Sequence, residues 1–442
     1  MRVDNSRDRS FGRCTNISIR NQSTMRTRWQ RLQQHISSCC RWCCSSPSWP
    51  SGPASTELRK RYKEMEASYE GIVTLQPNSR GIDDYFIKGP MLGQGGFGTV
   101  CQATPTKRAI KAQPALKEGK GYALKRVKLP LRDAEIEMIS KSLLGVSPAR
   151  MLQFLKVIGG PEATQQHVTR NLLRVLEIPH TMHIAMDLLE GPTLRDWMME
   201  NKARVPEPLA ADLTTQMLKA VHFLHRVAGA LHRDVKPQNF GFTQALRQDE
   251  PATLQLFDMG LVYVLPEPIV EATAHELYAL GLGGTMHWIP PETWAGYSGA
   301  CSDIWGIGLI LHVLLLRQLP FGLQYCEDRD AVYLAVKECG PVQRVSGEAS
   351  AEALQLVQQL LSKDPSQRPS TAVALQWPWL RTAQASSPPS SPSPLSTSRR
   401  RTVAAAAAQR QVQLPAETER WKERSFWHSL MLKSSDFWSK AD

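Results

Sequence analysis

What this sequence is short of narrows the field before any motif is read. It has no apolar run long enough to cross a bilayer: the longest, residues 304–316, carries His312, so a buried helix is expected there and not an anchor. No apolar h-region follows Met1, so a secretory leader is not expected. Nine cysteines is an odd number, and five of them fall in the first 44 residues, which argues against the paired framework of a secreted scaffold. No internal repeat recurs, which sets aside solenoids and propellers. The chain is therefore expected inside the cell, cytoplasmic or nuclear. Acidic residues are in deficit, 41 against 53 Lys and Arg, and the resulting +12 favours anionic partners such as nucleotides, acidic proteins, nucleic acid or membrane surfaces. At 442 residues and 42% hydrophobic composition, there is enough chain for one large two-lobed unit or for two to three small domains with tails.

The two ends read differently from the middle. Residues 1–80 look like a disordered extension: arginines such as Arg2, Arg13, Arg20, Arg28 and Arg41 face only Asp4 and Asp8 before residue 45, and nothing there is periodic enough to bury a core. Within it, Cys39, Cys40, Cys43 and Cys44 surround Arg41 and Trp42. Zinc would need a second Cys pair at finger spacing, and none follows. Acylation of these thiols beside a basic segment is the alternative, giving peripheral membrane association. An undistinguished disordered arm is the third reading. Residues 383–442 form a Ser/Pro-rich tail. Its end holds Trp421, Phe426, Trp427, Leu430, Phe437 and Trp438, an aromatic amphipathic segment suited to docking on its own domain or on a partner.

Between the ends, charged and glycine-rich motifs follow one another in a fixed order. A short strand at residues 85–88 runs into Leu92, Gly93, Gln94, Gly95, Gly96, Phe97, Gly98, Thr99 and Val100, with G-x-G-x-x-G spacing. Dinucleotide-binding folds share that spacing but need a helix next, and residues 99–102 look like a returning strand. A hairpin lid over phosphates fits better, because glycines let backbone amides approach phosphate oxygens. A strand lysine comes next: Lys125 in Ala123-Leu124-Lys125, with Lys111 in Ala109-Ile110-Lys111 as a decoy. Choosing Lys125 requires a basic insertion in the hairpin, which surfaces tolerate. A helix carboxylate should orient that lysine, and Glu135 is favoured over Glu137.

The densest signal is His232-Arg233-Asp234-Val235-Lys236-Pro237-Gln238-Asn239. Phosphoryl transfer asks for an Asp to accept the substrate hydroxyl's proton and an Asn five residues later to hold a metal ion, and Asp234 and Asn239 have that spacing. Lys236 can neutralise the moving phosphoryl group. Residues 208–226 form an amphipathic helix just before this loop. After it, a strand at 254–257 delivers Asp258-Met259-Gly260, a second Mg²⁺ ligand. The chain crosses between lobes near residues 187–194, where backbone groups at Asp187 and Leu189 can meet an adenine edge. Arg368 is the expected buried partner of Glu292.

These motifs, collinear from Tyr85 to Leu380, resemble the eukaryotic-type protein kinase superfamily. The resemblance implies an α+β, two-lobed fold: a β-rich N-lobe at 81–186 and a mostly helical C-lobe at 187–382. It implies a lid from Gly93 to Gly98, a Lys125–Glu135 ion pair, Asp234 as catalytic base, and Asn239 and Asp258 as ligands for Mg²⁺ with ATP as cofactor. Val100 and Ala123 would join the nucleotide site. Lys236 with Thr285 looks like the serine/threonine branch, with protein substrates and no specific nucleic-acid partner. Met259 stands where the family has Phe, Pro290 where it has Ala, and Gly241 where it has a large residue under the adenine. A scaffold that has lost catalysis is the rival reading, and a nucleic-acid-binding arm on a kinase is another. Arg233 is expected to take an anion from the following segment, where Thr273 and Tyr278 are candidate phosphate acceptors and Glu271 or Glu276 candidate substitutes.

Overall fold

The computed structural model describes residues 60, 63–75, 81–95, 98–128, 147–177, 181–201, 205–244, 252–338 and 349–385, all within a compact unit that begins at Thr56. A six-stranded sheet comes first. Its strands are β1 (Ile72–Thr74), β2 (Phe86–Gly95), β3 (Gly98–Pro105), β4 (Tyr122–Lys128), β5 (Asn171–Glu177) and β6 (Thr181–Asp187), in spatial order β1-β5-β6-β4-β3-β2. All neighbours are antiparallel except β1 and β5. β4 reads Tyr122-Ala123-Leu124-Lys125-Arg126-Val127-Lys128, with Tyr122, Ala123, Leu124, Lys125 and Val127 buried and Arg126 exposed. Paired on both edges, it places Lys125 opposite Val100 on one side and Ile184 on the other.

The decoy lysine stands on a helix and not on a strand. Between β3 and β4 the basic insertion forms helix α1 (Lys107–Ala112), capped by Thr106, and Lys111 sits exposed in its last turn. A helix whose cap and first turn close outside the sheet cannot deliver its lysine to the strand position.

One boundary is corrected. The extension expected over residues 1–80 ends earlier, because residues 63–75 fold onto the sheet edge. Met65, Ile72 and Val73 are buried, β1 pairs with Arg174–Leu176 of β5, and the Tyr69 hydroxyl donates to the Leu155 carbonyl at 3.4 Å. Three strand residues are too few to show a period, and the stretch is stabilised by long-range pairing, not by its own pattern.

Helix α2 (Pro148–Gly159) packs against β5, with Ser147 as its N-cap and Gly160 ending it. The helical part is built around α3 (Glu207–Phe223) and α4 (Ala300–Leu316). Every residue of α4 is buried, which answers the apolar run with core packing. Its His312 Nδ1 donates to the Gln318 carbonyl at 2.7 Å, and burial lowers its pKa to about 4, so it sits neutral in the core. Among the described residues no helix is long and apolar enough to cross a membrane. Gly306 has a specific role in α4: a Cβ there would lie 2.5 Å from the Val235 carbonyl oxygen. The helix can therefore press directly on the loop that carries Asp234. Glu292 and Arg368 meet as expected, in a buried fork of 2.6 and 2.8 Å. Ser302 and the carbonyls of Cys301 and Ser362 satisfy the remaining polar groups, the condition under which a buried ion pair is tolerated.

Ile72→Ala tests whether β1 belongs to the folded unit. Removing a fully buried isoleucine from a packed sheet edge is expected to cost about 2 to 4 kcal/mol, read as a lowered urea midpoint at unchanged slope; an unchanged midpoint would show that the strap contributes nothing.

Candidate active site

Helix α3 runs into a π-type segment, Leu224–Ala228, and Gly229 closes it in the left-handed conformation at φ 62°. The chain then enters a short ribbon in which β7 (Ala230–Leu231) pairs with β10 (Tyr263–Val264). A second ribbon pairs β8 (Phe240–Phe242) with β9 (Leu254–Leu256). The residues 232–239 span the space between these ribbons, so their ends are fixed by four strands.

Asp303, in the first turn of α4, fixes the interior of this loop. Its carboxylate accepts from the backbone N–H of His232 at 2.9 Å and of Arg233 at 2.8 Å, and it pairs with His225 Nε2 at 2.8 Å. Burial alone would raise the pKa of Asp303, but the hydrogen bond and charge of His225, with His232, hold it below the ordinary carboxylate value. Arg233 adopts φ 67°, a conformation that non-glycine residues rarely accept.

Asp234 sits at the centre of a closed set of contacts. Lys236 Nζ donates to its Oδ2 at 2.6 Å and to Thr285 Oγ1 at 2.5 Å, while the Thr285 hydroxyl donates to Asp234 Oδ1 at 2.8 Å. Asn239 Nδ2 donates to the Asp234 carbonyl at 2.7 Å and to Oδ2 at 3.1 Å. With its amide nitrogen spent this way, Asn239 has its amide oxygen left as an acceptor. The Asn239 carbonyl accepts from Phe257 N–H at 2.9 Å, which brings Asn239 next to the residue preceding Asp258.

Asp258 is the second non-glycine residue of the site at positive φ, 62°. Its Oδ1 pairs with Lys125 Nζ and accepts from Gly260 N–H at 3.1 Å. A Cβ on residue 260 would lie 3.0 Å from that oxygen and 3.5 Å from Lys125 Nζ, so glycine gives the pair its room. Desolvation would raise the Asp258 pKa, but Lys125 first, then Lys236 and His232, hold it low. One carboxylate and one amide oxygen make a hard donor set. Such a set suits Mg²⁺, which takes one or two protein oxygens and completes its shell from phosphates and water.

Not every expected site residue falls among the described ones. Gly96 and Phe97 lie outside them, as do Glu135 and Glu137, the cysteines at 39–44 and the aromatic segment at 421–438. Helix α2, beside Lys125, contains no acidic residue; Met151 and Phe154 line a cavity with Lys125, Met186 and Met259. The lid hairpin closes with Gly95 opposite Gly98, and Gly98, at φ 136°, would place a Cβ 1.9 Å from the Arg126 carbonyl oxygen. Gly93 faces open space, and Leu92 and Gln94 are exposed beside it.

At the crossing between lobes, Asp187 is gripped by Arg170 in a fork of 2.6 and 3.0 Å, and its N–H donates to the Arg170 carbonyl at 3.2 Å. Leu189 is left as the better backbone candidate for a base edge. A Cβ on Gly241 would come within 2.8 Å of Leu189 Cδ1 and 3.2 Å of Phe257 Cε1. The space beside Gly241 is thus filled by Leu189 from the crossing and by Phe257.

The anion expected on Arg233 comes from none of the four candidates among the described contacts. Its guanidinium donates to the Leu280 carbonyl at 3.3 Å. The Tyr278 hydroxyl donates to Glu276 at 3.0 Å, Thr273 turns back to Val270, and Glu271 accepts from Ser370. Asp303 and Arg170 are the positioning side chains that motif reading missed; each acts across a long sequence interval or on a backbone group, and leaves no local pattern.

The family model of the protein kinase domain matches residues 86–380. The chain belongs to the protein kinase family. A CDPK-related kinase 7 of Arabidopsis thaliana is 27% identical over 304 residues, covering 67% of this chain and 46% of the relative. The calcium/calmodulin-dependent serine/threonine-protein kinase 1 of Oryza sativa subsp. japonica is 28% identical over 313 residues, with 69% and 45% covered. The chain spans about half the length of the curated relatives it matches. The serine/threonine branch expected from Lys236 and Thr285 agrees with the name of the second relative.

Asp303→Asn gives a pH test of the loop's support. A carboxylate whose folded pKa is depressed adds stability above its unfolded pKa, near 3.9, and loses it as pH falls through the folded value. The variant should be less stable than the parent by about 3 to 5 kcal/mol at neutral pH, and the gap should begin to narrow below about pH 4 and shrink further as pH falls toward the depressed folded value. Urea unfolding at both pH values reads this, and a pH-independent gap would remove the charge from the account.

Proposed function

We propose that this kinase-family chain is an ATP-dependent protein serine/threonine kinase that uses Mg²⁺. The observation that carries the reading is the convergence of Lys125, Asp258, Asp234, Lys236 and Asn239, linked by direct hydrogen bonds and by the Asn239–Phe257 backbone contact.

In this reading Asp234 orients the attacking hydroxyl and receives its proton. Its two oxygens already accept from Lys236, Asn239 and Thr285, but an ionised carboxylate has about four lone-pair sites, so a substrate hydroxyl has room at Oδ1 beside Thr285. Lys236 stays within reach of the transferred group and offsets its developing charge. Lys125, held by Asp258, is placed for the α and β phosphates, and the Gly93–Gly98 hairpin covers them. Mg²⁺ bound with ATP by Asn239 and Asp258 would neutralise charge on the β and γ phosphates. A scaffold without catalysis would be expected to lack one of these charged groups, and all of them are present. Protein substrates follow from the family. Attachment to a membrane through Cys39, Cys40, Cys43 and Cys44 remains a separate proposal on residues outside the described ones.

Radiolabelled ATP with generic acidic and basic substrates tests the activity itself. Asp234→Asn is expected to abolish transfer while leaving Mg-ATP binding nearly intact, because it removes the base without touching a phosphate contact. Lys125→Met should be inactive and Lys111→Met near normal; wild-type turnover in Asp234→Asn would sink the assignment.

A further inference from the structure

Arg150 stands in the first turn of α2, whose Ser147 cap accepts from its N–H at 3.2 Å. It is only 8% exposed. Its guanidinium leaves the helix and donates to three backbone carbonyls: Nε to Leu265 at 2.9 Å, and Nη2 to Ala228 at 2.7 Å and Gly229 at 3.1 Å. A buried cation is costly unless its donors are met, and burial lowers the pKa of this one, with Glu267 opposing.

The three acceptors are not scattered. Ala228 and Gly229 end the helical run that began at Glu207, and a cation at a helix C-terminus meets the negative end of the dipole and the unpaired last carbonyls. Leu265 follows β10, and its N–H donates to the same Gly229 carbonyl at 2.8 Å. Arg150 therefore closes the open end of the β7–β10 ribbon. One strand of that ribbon leads within a few residues to Asp234, and the other descends from Asp258. Gly229 is shaped to admit the contact, since a Cβ there would lie 1.8 Å from Arg150 Nη2. The next residues of α2, Met151 and Phe154, line the cavity that holds Lys125 and Asp258.

We propose that Arg150 is a positioning residue for phosphoryl transfer: it fixes α2, and with it the wall behind Lys125, to the strands that carry Asp234 and Asp258. The inference rests on the kinase reading above. It makes the register between the lobes a property of one guanidinium on backbone carbonyls, available without any added phosphate. A lysine cannot replace it, because a point charge does not fork to carbonyls on two separate segments at once.

The test compares Arg150→Ala and Arg150→Lys with the full-length parent, at a temperature where each is folded by circular dichroism. Loss of register should lower kcat on the order of 10- to 100-fold, while KM for ATP stays within about threefold because no nucleotide contact is removed. Millimolar guanidinium should restore kcat to Arg150→Ala and not to Lys125→Met. If Arg150→Ala does not fold, folded Arg150→Lys carries the test, and parental kcat in it overturns the proposal. A loss in Arg150→Ala that guanidinium leaves untouched also overturns it. If the parent itself transfers no phosphoryl group, the kinase reading has failed separately, and hydrogen exchange of residues 148–159 and 262–266 decides Arg150: faster exchange in Arg150→Lys supports the clamp, and unchanged exchange ends it.

Discussion

Two backbone N–H groups meeting one buried carboxylate govern the shape of this site. Arg233 turns through the left-handed region without being a glycine, a conformation that costs on the order of 1 to 3 kcal/mol. The turn persists because Asp303 holds the N–H groups of His232 and Arg233 with its two oxygens. Asp303 can reach them because α4 presses on the loop at Gly306, and α4 in turn is a fully buried helix. The orientation of Asp234 is thus set from below, by the core of the helical part, before any substrate arrives.

Much of the chemistry was legible in the sequence because phosphoryl transfer restricts which side chains can stand at which offsets. Asp234 and Asn239 share one loop, so their spacing alone brings them together. Lys125 was readable as the lysine of Ala123-Leu124-Lys125 on a strand, and its rival Lys111 differs from it in lying on the helix that the insertion forms. The Glu292–Arg368 fork was readable in the same way, as two charges too awkward to bury apart. Where reading stopped was at contacts made to backbone. Arg150, Asp303 and the Asp187 N–H act on carbonyl or amide groups that every residue possesses, so no partner identity in the sequence points to them.

The N-terminal boundary failed for a related reason. An arginine-rich, aperiodic stretch was read through to residue 80, yet Met65, Ile72 and Val73 are buried. A strand of three residues is stable only as an addition to a sheet already formed, and its parallel pairing with β5 draws on an edge that the sequence does not advertise. The strap reaches α2 through Tyr69 and Leu155, so α2 is held at one end by Arg150 and along its back by residues that precede the lid.

Gly241 shows how volume lost from one strand can be supplied from another. A side chain there would collide with Leu189 and Phe257, so the missing residue leaves no vacant floor; Leu189 occupies part of it from the crossing between lobes. A floor residue carried by β8 would be rigid with the catalytic loop, since β8 is paired with β9. Leu189 belongs instead to the crossing, two residues after Asp187, which Arg170 holds in a fork. The room beside Gly241 is therefore set by a side chain from the crossing and by Phe257, and not by β8 itself.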